Sequence, residues 1–180
     1  MAKAMKPLGA ILLGAACLFA CLYQAFPWSP LLTAAITCGV AGYHLEIRLL
    51  VGMLFTWAAP AHDYTKKRYR LLPWEKRLYQ KIHIKAWKNR LPTYVPESFS
   101  PKLHSWEEIA QAACRSELVH LTNCLLSFLP VIAALWFHSL PVFLITSILA
   151  GAFDLVFIMI QRYNRDRIVK IIMKKTSKGG

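Results

Sequence analysis

Residues 140–160 read LPVFLITSILAGAFDLVFIMI, with Asp154 as the sole charged side chain in the run. Coiled as an α-helix, a run of that length reaches about 30 Å, the depth of a bilayer's hydrocarbon core. It lacks the polar–apolar alternation of a barrel strand. Backbone polar groups in lipid must be satisfied internally, so a helix is the form this run takes. Working back from it, His138 and Ser139 make a turn, with Pro141 just beyond. Residues 118–137 form another apolar run, which Pro130 is expected to kink. That run is entered by a helix starting at Trp106, because Ser105 followed by Glu108 is a capping box. Residues 7–26 and 31–59 are two more apolar runs, separated by Pro27 and Pro30. Lys3 and Lys6 before the first run resemble a signal peptide's basic flank. The run is long for an h-region, however, and ends in Tyr23, Phe26 and Trp28, so it is read as an uncleaved span. The expected fold is all-α: an integral membrane protein with four transmembrane helices and an interfacial amphipathic helical segment.

The remaining residues are strongly basic. Of 180 residues 56% are hydrophobic, yet 22 Lys and Arg oppose 9 Asp and Glu, for a net charge of +13. Hydropathy and charge are therefore segregated along the chain. The organisation expected is a first helix pair at 1–60, a basic segment at 61–116, a second pair at 117–160 and a basic tail at 161–180. Between residues 64 and 94, lysines and arginines alternate with Tyr64, Tyr69, Trp74, Tyr79, Trp87 and Tyr94. In a soluble protein this pattern suits single-stranded nucleic acid. Between two pairs of spans it reads as a membrane-surface segment, with aromatics at headgroup depth and lysines reaching phosphates, and no nucleic-acid partner. Residues 74–90 look helical and 92–105 look like loop. The N-terminal flank, the middle segment and the tail are basic, whereas the two short turns carry no Lys or Arg. The positive-inside rule then places both termini in the cytoplasm of a bacterial cell membrane. The five cysteines lack metal-ligand spacing and form no disulfide framework.

Several polar residues stand out against this background. Charges deep in a span persist only when paired, beside a cavity or functional. His44 and Arg48 share a helix face, while Glu46 points elsewhere. They form either a buried polar cluster or a substrate pocket. Asp154 needs a partner, and His44 or Arg48 would serve, which would bring the second and fourth spans together. Glu117 and His120 lie three apart where a helix enters the membrane. Such a pair can act as an oriented general base or as an interfacial anchor. Gln161, Arg162, Tyr163, Asn164, Arg165 and Arg167 follow the last span directly and form either a phosphate site or a positive-inside anchor. Lys88 beside Trp87, with Glu75 upstream, is a weaker candidate. His62, His83, His104 and His138 are solitary. No Walker, G-x-G-x-x-G or G-x-S-x-G motif is present, and no metal site is expected.

At four segments the sequence resembles the family of glycosyl-4,4'-diaponeurosporenoate acyltransferase, the enzyme that acylates the staphyloxanthin precursor. They are YHLEIRLLVG (43–52), the stretch from Trp74 to Ser100, SELVHLTNCLLSFLPV (116–131), and PVFLITSILAGAFDLVFIMIQRYNRDR (141–167). The resemblance implies a fatty acyltransferase that esterifies the C6 hydroxyl of glucose on a glycosylated lipid, with a thioester such as acyl-CoA as co-substrate and no cofactor. Its partners would be the lipid acceptor, the acyl donor and the membrane. On that view Glu117 orients His120 as the base, Arg162, Arg165, Arg167 and Lys88 grip the donor's phosphates, and His44 and Arg48 line the acceptor's cavity. Ser116 and Asp166 stand where the family pattern commonly has Ala and Pro. Against a lipid methyltransferase stands the lack of a glycine-rich nucleotide turn. Against a plain lipid-binding anchor stand the ionisable residues inside the spans.

Overall fold

The computed structural model describes residues 2–58, 62–91, 95–137 and 139–177, with side chains from residue 4 onward. The turn expected at His138 and the start of the loop at Pro92 lie outside the described residues. Within them the chain is helical, with no strand. Its α-helices are α1 (Ala2–Ala25), α2 (Ser29–Ala58), α3 (Pro73–Lys81), α4 (Ile84–Trp87), α5 (Trp106–Leu126), α6 (Ala134–Phe137) and α7 (Leu140–Thr176). Four stretches are long and apolar enough to cross a membrane: Ala4–Ala25, Ser29–Ala58, Trp106–Phe137 and Leu140–Thr176. Large apolar side chains stand exposed along them, including Ile11, Leu125, Leu135 and Trp57, the last 86% exposed. Side chains that face lipid need no protein cover, so burial here is reserved for polar groups and close helix contacts.

The chain condenses into two compact units. The first comprises Met1–Trp57 and Thr122–Asp154, the second Ala58–Leu121 and Leu155–Gly180. These units cut across the four sequence segments: the tail groups with the basic middle segment, and α5 and α7 each contribute to both units.

In the first unit, α1 and α2 approach closely at two glycines. A methyl group on Gly42 would meet the Leu13 side chain at 2.8 Å, and one on Gly9 would meet a Glu46 carboxylate oxygen at 2.2 Å. Glu46, which faces away from His44 and Arg48, is thus seated against α1. Ile36, Val40 and Phe143 form the apolar core of this unit. Gly151 on α7 admits the Phe128 ring and the Cys124 thiol. The expected kink at Pro130 is a full break: α5 stops at Leu126, and a 3-10 turn runs from Leu129 to Ala133 before α6. Proline lacks the N–H that would bond the carbonyl four residues earlier, and its ring crowds that carbonyl.

In the second unit, the stretch expected to be one helix over 74–90 is two, with a 3-10 turn after them. α3 opens with Pro73 at its start, and the Glu75 carboxylate accepts the Leu72 N–H at 2.7 Å. It closes at Ile82, and His83 takes a left-handed conformation, φ 51°. The break turns α4 so that Tyr79, Ile84 and Ile160 bury together, flanked by Trp87 and Tyr163. The Trp87 indole N–H donates to the Ile82 carbonyl freed by the break, at 2.8 Å. The capping box forms as read: Ser105 N–H donates to Glu108 Oε2 at 2.7 Å and Glu108 N–H to Ser105 Oγ at 3.2 Å. The last helix runs on to Thr176. Its lower half buries Ile168 against Ile109 and Ala110 of α5.

Candidate functional site

The polar centre of the second unit is organised by Arg162 and Arg165 of α7. Arg162 donates from Nε to Glu75 Oε1 at 2.6 Å and from Nη2 to Glu75 Oε2 at 2.8 Å, a bidentate pair. Its Nη1 donates to Glu117 Oε1 at 2.7 Å and to the Arg68 carbonyl at 3.3 Å, and Nη2 also donates to the Arg70 carbonyl at 3.0 Å. A guanidinium has five N–H groups, and all five of these are engaged. Arg165, 1% exposed, bonds Glu117 Oε2 through Nη1 and holds the Tyr69 carbonyl with Nε at 3.1 Å and Nη2 at 2.7 Å. Two buried carboxylates and two guanidiniums thus neutralise one another and fasten the 68–70 turn to α7.

Burial opposes ionisation of Glu75, but the hydrogen bonds from Arg162 and the Leu72 N–H outweigh it and hold its carboxyl below the ordinary value. Burial, with the Glu75 charge beside it, pushes the Tyr79 hydroxyl up to about 12. Tyr79 therefore stays protonated and donates to Glu75 Oε1 at 3.3 Å.

This network engages residues that carried two sequence expectations. Glu117 was expected to orient His120, but both its oxygens accept from Arg162 and Arg165. Arg162 and Arg165 were expected to present donors to a phosphate, but their donors are taken up internally. The physical reason is burial: a charge out of water is stable only when fully paired. Gln161 is also buried, and its Oε1 has no partner among the described residues.

His120 itself is half-buried and stacks on Phe157, with ring centroids 4.9 Å apart and planes 14° apart. The remaining tail residues gather around Lys88. Its Nζ donates to Asn164 Oδ1 at 2.5 Å and lies 5.6 Å from the Tyr163 ring centre, and the Arg167 guanidinium lies 6.0 Å from that same centre. Burial, then the neighbouring Arg167 charge, lowers the Lys88 pKa. No carboxylate neutralises this pair of cations among the described residues. Lys88, Tyr163, Asn164 and Arg167 are therefore the part of the sequence-derived set suited to an anion.

In the first unit, Arg48 Nη2 pairs with Asp154 Oδ2 at 2.5 Å and donates to the Ala150 carbonyl at 3.0 Å. The contact expected between the second and fourth spans is present. His44 is buried one turn away, and neither ring nitrogen has a partner among the described residues. Among the described residues no group of three His, Cys, Asp or Glu side chains could hold a metal ion. Sequence reasoning missed Tyr69, whose own carbonyl accepts from the distant Arg165, and Tyr43, whose hydroxyl donates to the distant Leu126 carbonyl. It ranked Glu75 low, although Pro73 followed by a glutamate two positions later is a helix-opening signal.

The fold and these sites define a helical protein of membrane type in which a few charged groups are buried in paired networks. A family model described as CrtO, glycosyl-4,4'-diaponeurosporenoate acyltransferase, matches residues 60–174, and the chain belongs to that family. The family name denotes an acyltransferase. No curated protein and no solved structure matches the chain.

Proposed function

We propose that this protein transfers a fatty acyl group from a thioester donor such as acyl-CoA to the C6 hydroxyl of glucose on a glycosylated lipid. It works in a bacterial cell membrane, crossing it four times with both ends in the cytoplasm. The observation that carries the reading is the family match, which spans His120 and the whole Glu75–Glu117–Arg162–Arg165 network.

In the proposed reaction the His120 imidazole takes the proton of the sugar hydroxyl as its oxygen attacks the thioester carbonyl. The C–S bond then breaks, and the departing thiolate takes that proton back, leaving an ester and a free thiol. No covalent enzyme intermediate is needed. Phe157 fixes the ring plane of His120. Glu117 acts as a positioning residue, through the arginines that hold α5 and α7 in register. Lys88 and Arg167, with Tyr163 and Asn164, take the donor's phosphates. In the first unit, the two unpartnered nitrogens of His44, beside Arg48, suit hydroxyls of the acceptor.

Mass spectrometry of total lipids from cells with and without the protein tests this reading. A glycolipid that gains one fatty acyl mass only when the protein is present supports it and identifies both substrates. An unchanged lipid profile with the protein expressed and inserted would reduce it to a lipid-binding role.

A further inference from the structure

A second basic cluster surrounds the Tyr69 hydroxyl. Arg68 Nη2 donates to that hydroxyl at 2.8 Å, and His62 Nδ1 faces it at 3.4 Å, the two rings meeting edge to face. Because the hydroxyl accepts from Arg68, its own proton is directed at Nδ1, which leaves the hydrogen of a neutral imidazole on Nε2. His62 is 7% exposed, and this Nε2 is buried without a partner among the described residues.

Arg115 of α5 carries a buried Nε that is also unpartnered, and its side chain makes no hydrogen bond or ion pair among the described residues. Burial first, then the charges of Arg115 and Arg68, keep the His62 imidazole below its ordinary pKa. The acids that might neutralise the group are engaged elsewhere. Asp63 accepts from the Thr65 N–H at 2.9 Å and hydroxyl at 2.6 Å, and Glu75 and Glu117 pair with Arg162 and Arg165.

Buried donors without acceptors, set among uncompensated positive charges, suit an anion with several oxygens. We infer that His62 and Arg68, which meet at the Tyr69 hydroxyl, bind a phosphate group together with Arg115. Two guanidiniums and an imidazole N–H suit a group with several oxygens and more than one negative charge, which a phosphate supplies more fully than a carboxylate. The phosphate belongs either to a soluble phosphate ester such as the nucleotide part of coenzyme A or to an anionic lipid headgroup. The site does not depend on the acyl-transfer reading, because it is read from donors that the proposed reaction does not use.

The test uses the full-length protein in phosphatidylcholine nanodiscs. Inorganic phosphate and coenzyme A are titrated by calorimetry, and in a third arm the thermal midpoint is compared in discs containing phosphatidylglycerol. At least one probe is expected to bind, with affinity, or the shift in midpoint, reduced at least about tenfold by Arg115→Met and less by Arg68→Gln. A response to coenzyme A that the variants weaken identifies the soluble ester as the source, and a variant-sensitive response confined to phosphatidylglycerol identifies the lipid. Arg68 is exposed, so Arg68→Gln carries the test if Arg115→Met fails to fold. The inference is overturned if no probe binds, or if binding is the same in wild type and variants. Coenzyme A that binds wild type and both variants alike overturns this site while leaving the acyl-transfer reading intact, because Lys88 and Arg167 are unchanged in the variants.

Discussion

The hydroxyl of Tyr43 donates to the carbonyl oxygen of Leu126 at 2.9 Å. Leu126 lies four residues before Pro130, so its carbonyl is the one that a residue with an N–H at position 130 would have bonded. Tyr43 supplies from α2 the donor that the proline withholds. Tyr43→Phe should therefore destabilise the protein by about 1 kcal/mol. In a Pro130→Ala background, where the helix can bond its own carbonyl, the loss should largely vanish. Thermal unfolding of the four proteins in detergent gives the coupling as a double-mutant cycle. Equal losses in both backgrounds would show that the two residues act independently.

Arg48 and Asp154 form a buried pair 2.5 Å apart inside the first unit. Removing one partner takes this counter-charge from the other, whereas removing both does not. Arg48→Met alone should lower stability by about 3–5 kcal/mol, and adding Asp154→Leu should restore much of it. The comparison is made by unfolding in detergent. A double variant no more stable than Arg48→Met would mean that Asp154 has a role outside the pair.

Arg162→Lys replaces five fixed donors with three and cannot reproduce the bidentate grip on Glu75 while also holding Glu117 and two carbonyls. Loosening of the 62–91 region is expected, seen as faster limited proteolysis there. The depressed pKa of the Glu75 carboxyl gives the pH dependence. A group with a lowered folded pKa contributes stability fully above its unfolded value, about 4.3 for glutamate, and that contribution is lost as pH falls through the lower folded value. Protection of this region should therefore decline on acidification below about pH 4, and Glu75→Gln should flatten the decline.

His83 sits at φ 51°, a conformation that strains most side chains and costs a β-branched one most. His83→Gly should leave stability unchanged or slightly raised, and His83→Val should lower it by about 1–2 kcal/mol. Unfolding midpoints of the two variants decide this, and an indifferent His83→Val would place the helix break elsewhere.

The features legible in the sequence were those with a local or composition-level signature. The four apolar runs, the Ser105–Glu108 box and the need of Asp154 for a cation all follow from a few neighbouring residues or from the cost of charge in lipid. The break at His83 was not legible, because lysines, tyrosines and tryptophans keep a helical rhythm across it. Burying Ile84 beside Tyr79 and Ile160 overrides that rhythm. The roles of Arg162 and Arg165 were hidden for a related reason. A basic cluster after a span looks the same whether it meets phosphates or carboxylates, and Glu75 lies 87 residues from Arg162 along the chain. His62 looked solitary because the Tyr69 hydroxyl meets it only once the chain has folded.

The central claim is acyl transfer with His120 as the proton acceptor. Its most direct test is the single-turnover rate of purified, lipid-reconstituted protein, wild type and His120→Ala, given acyl-CoA and a glucosyl lipid. The rate should fall about 10²–10⁴-fold in His120→Ala, while the unfolding midpoint and limited-proteolysis pattern stay those of the wild type. A folded His120→Ala variant that transfers at the wild-type rate would contradict the account.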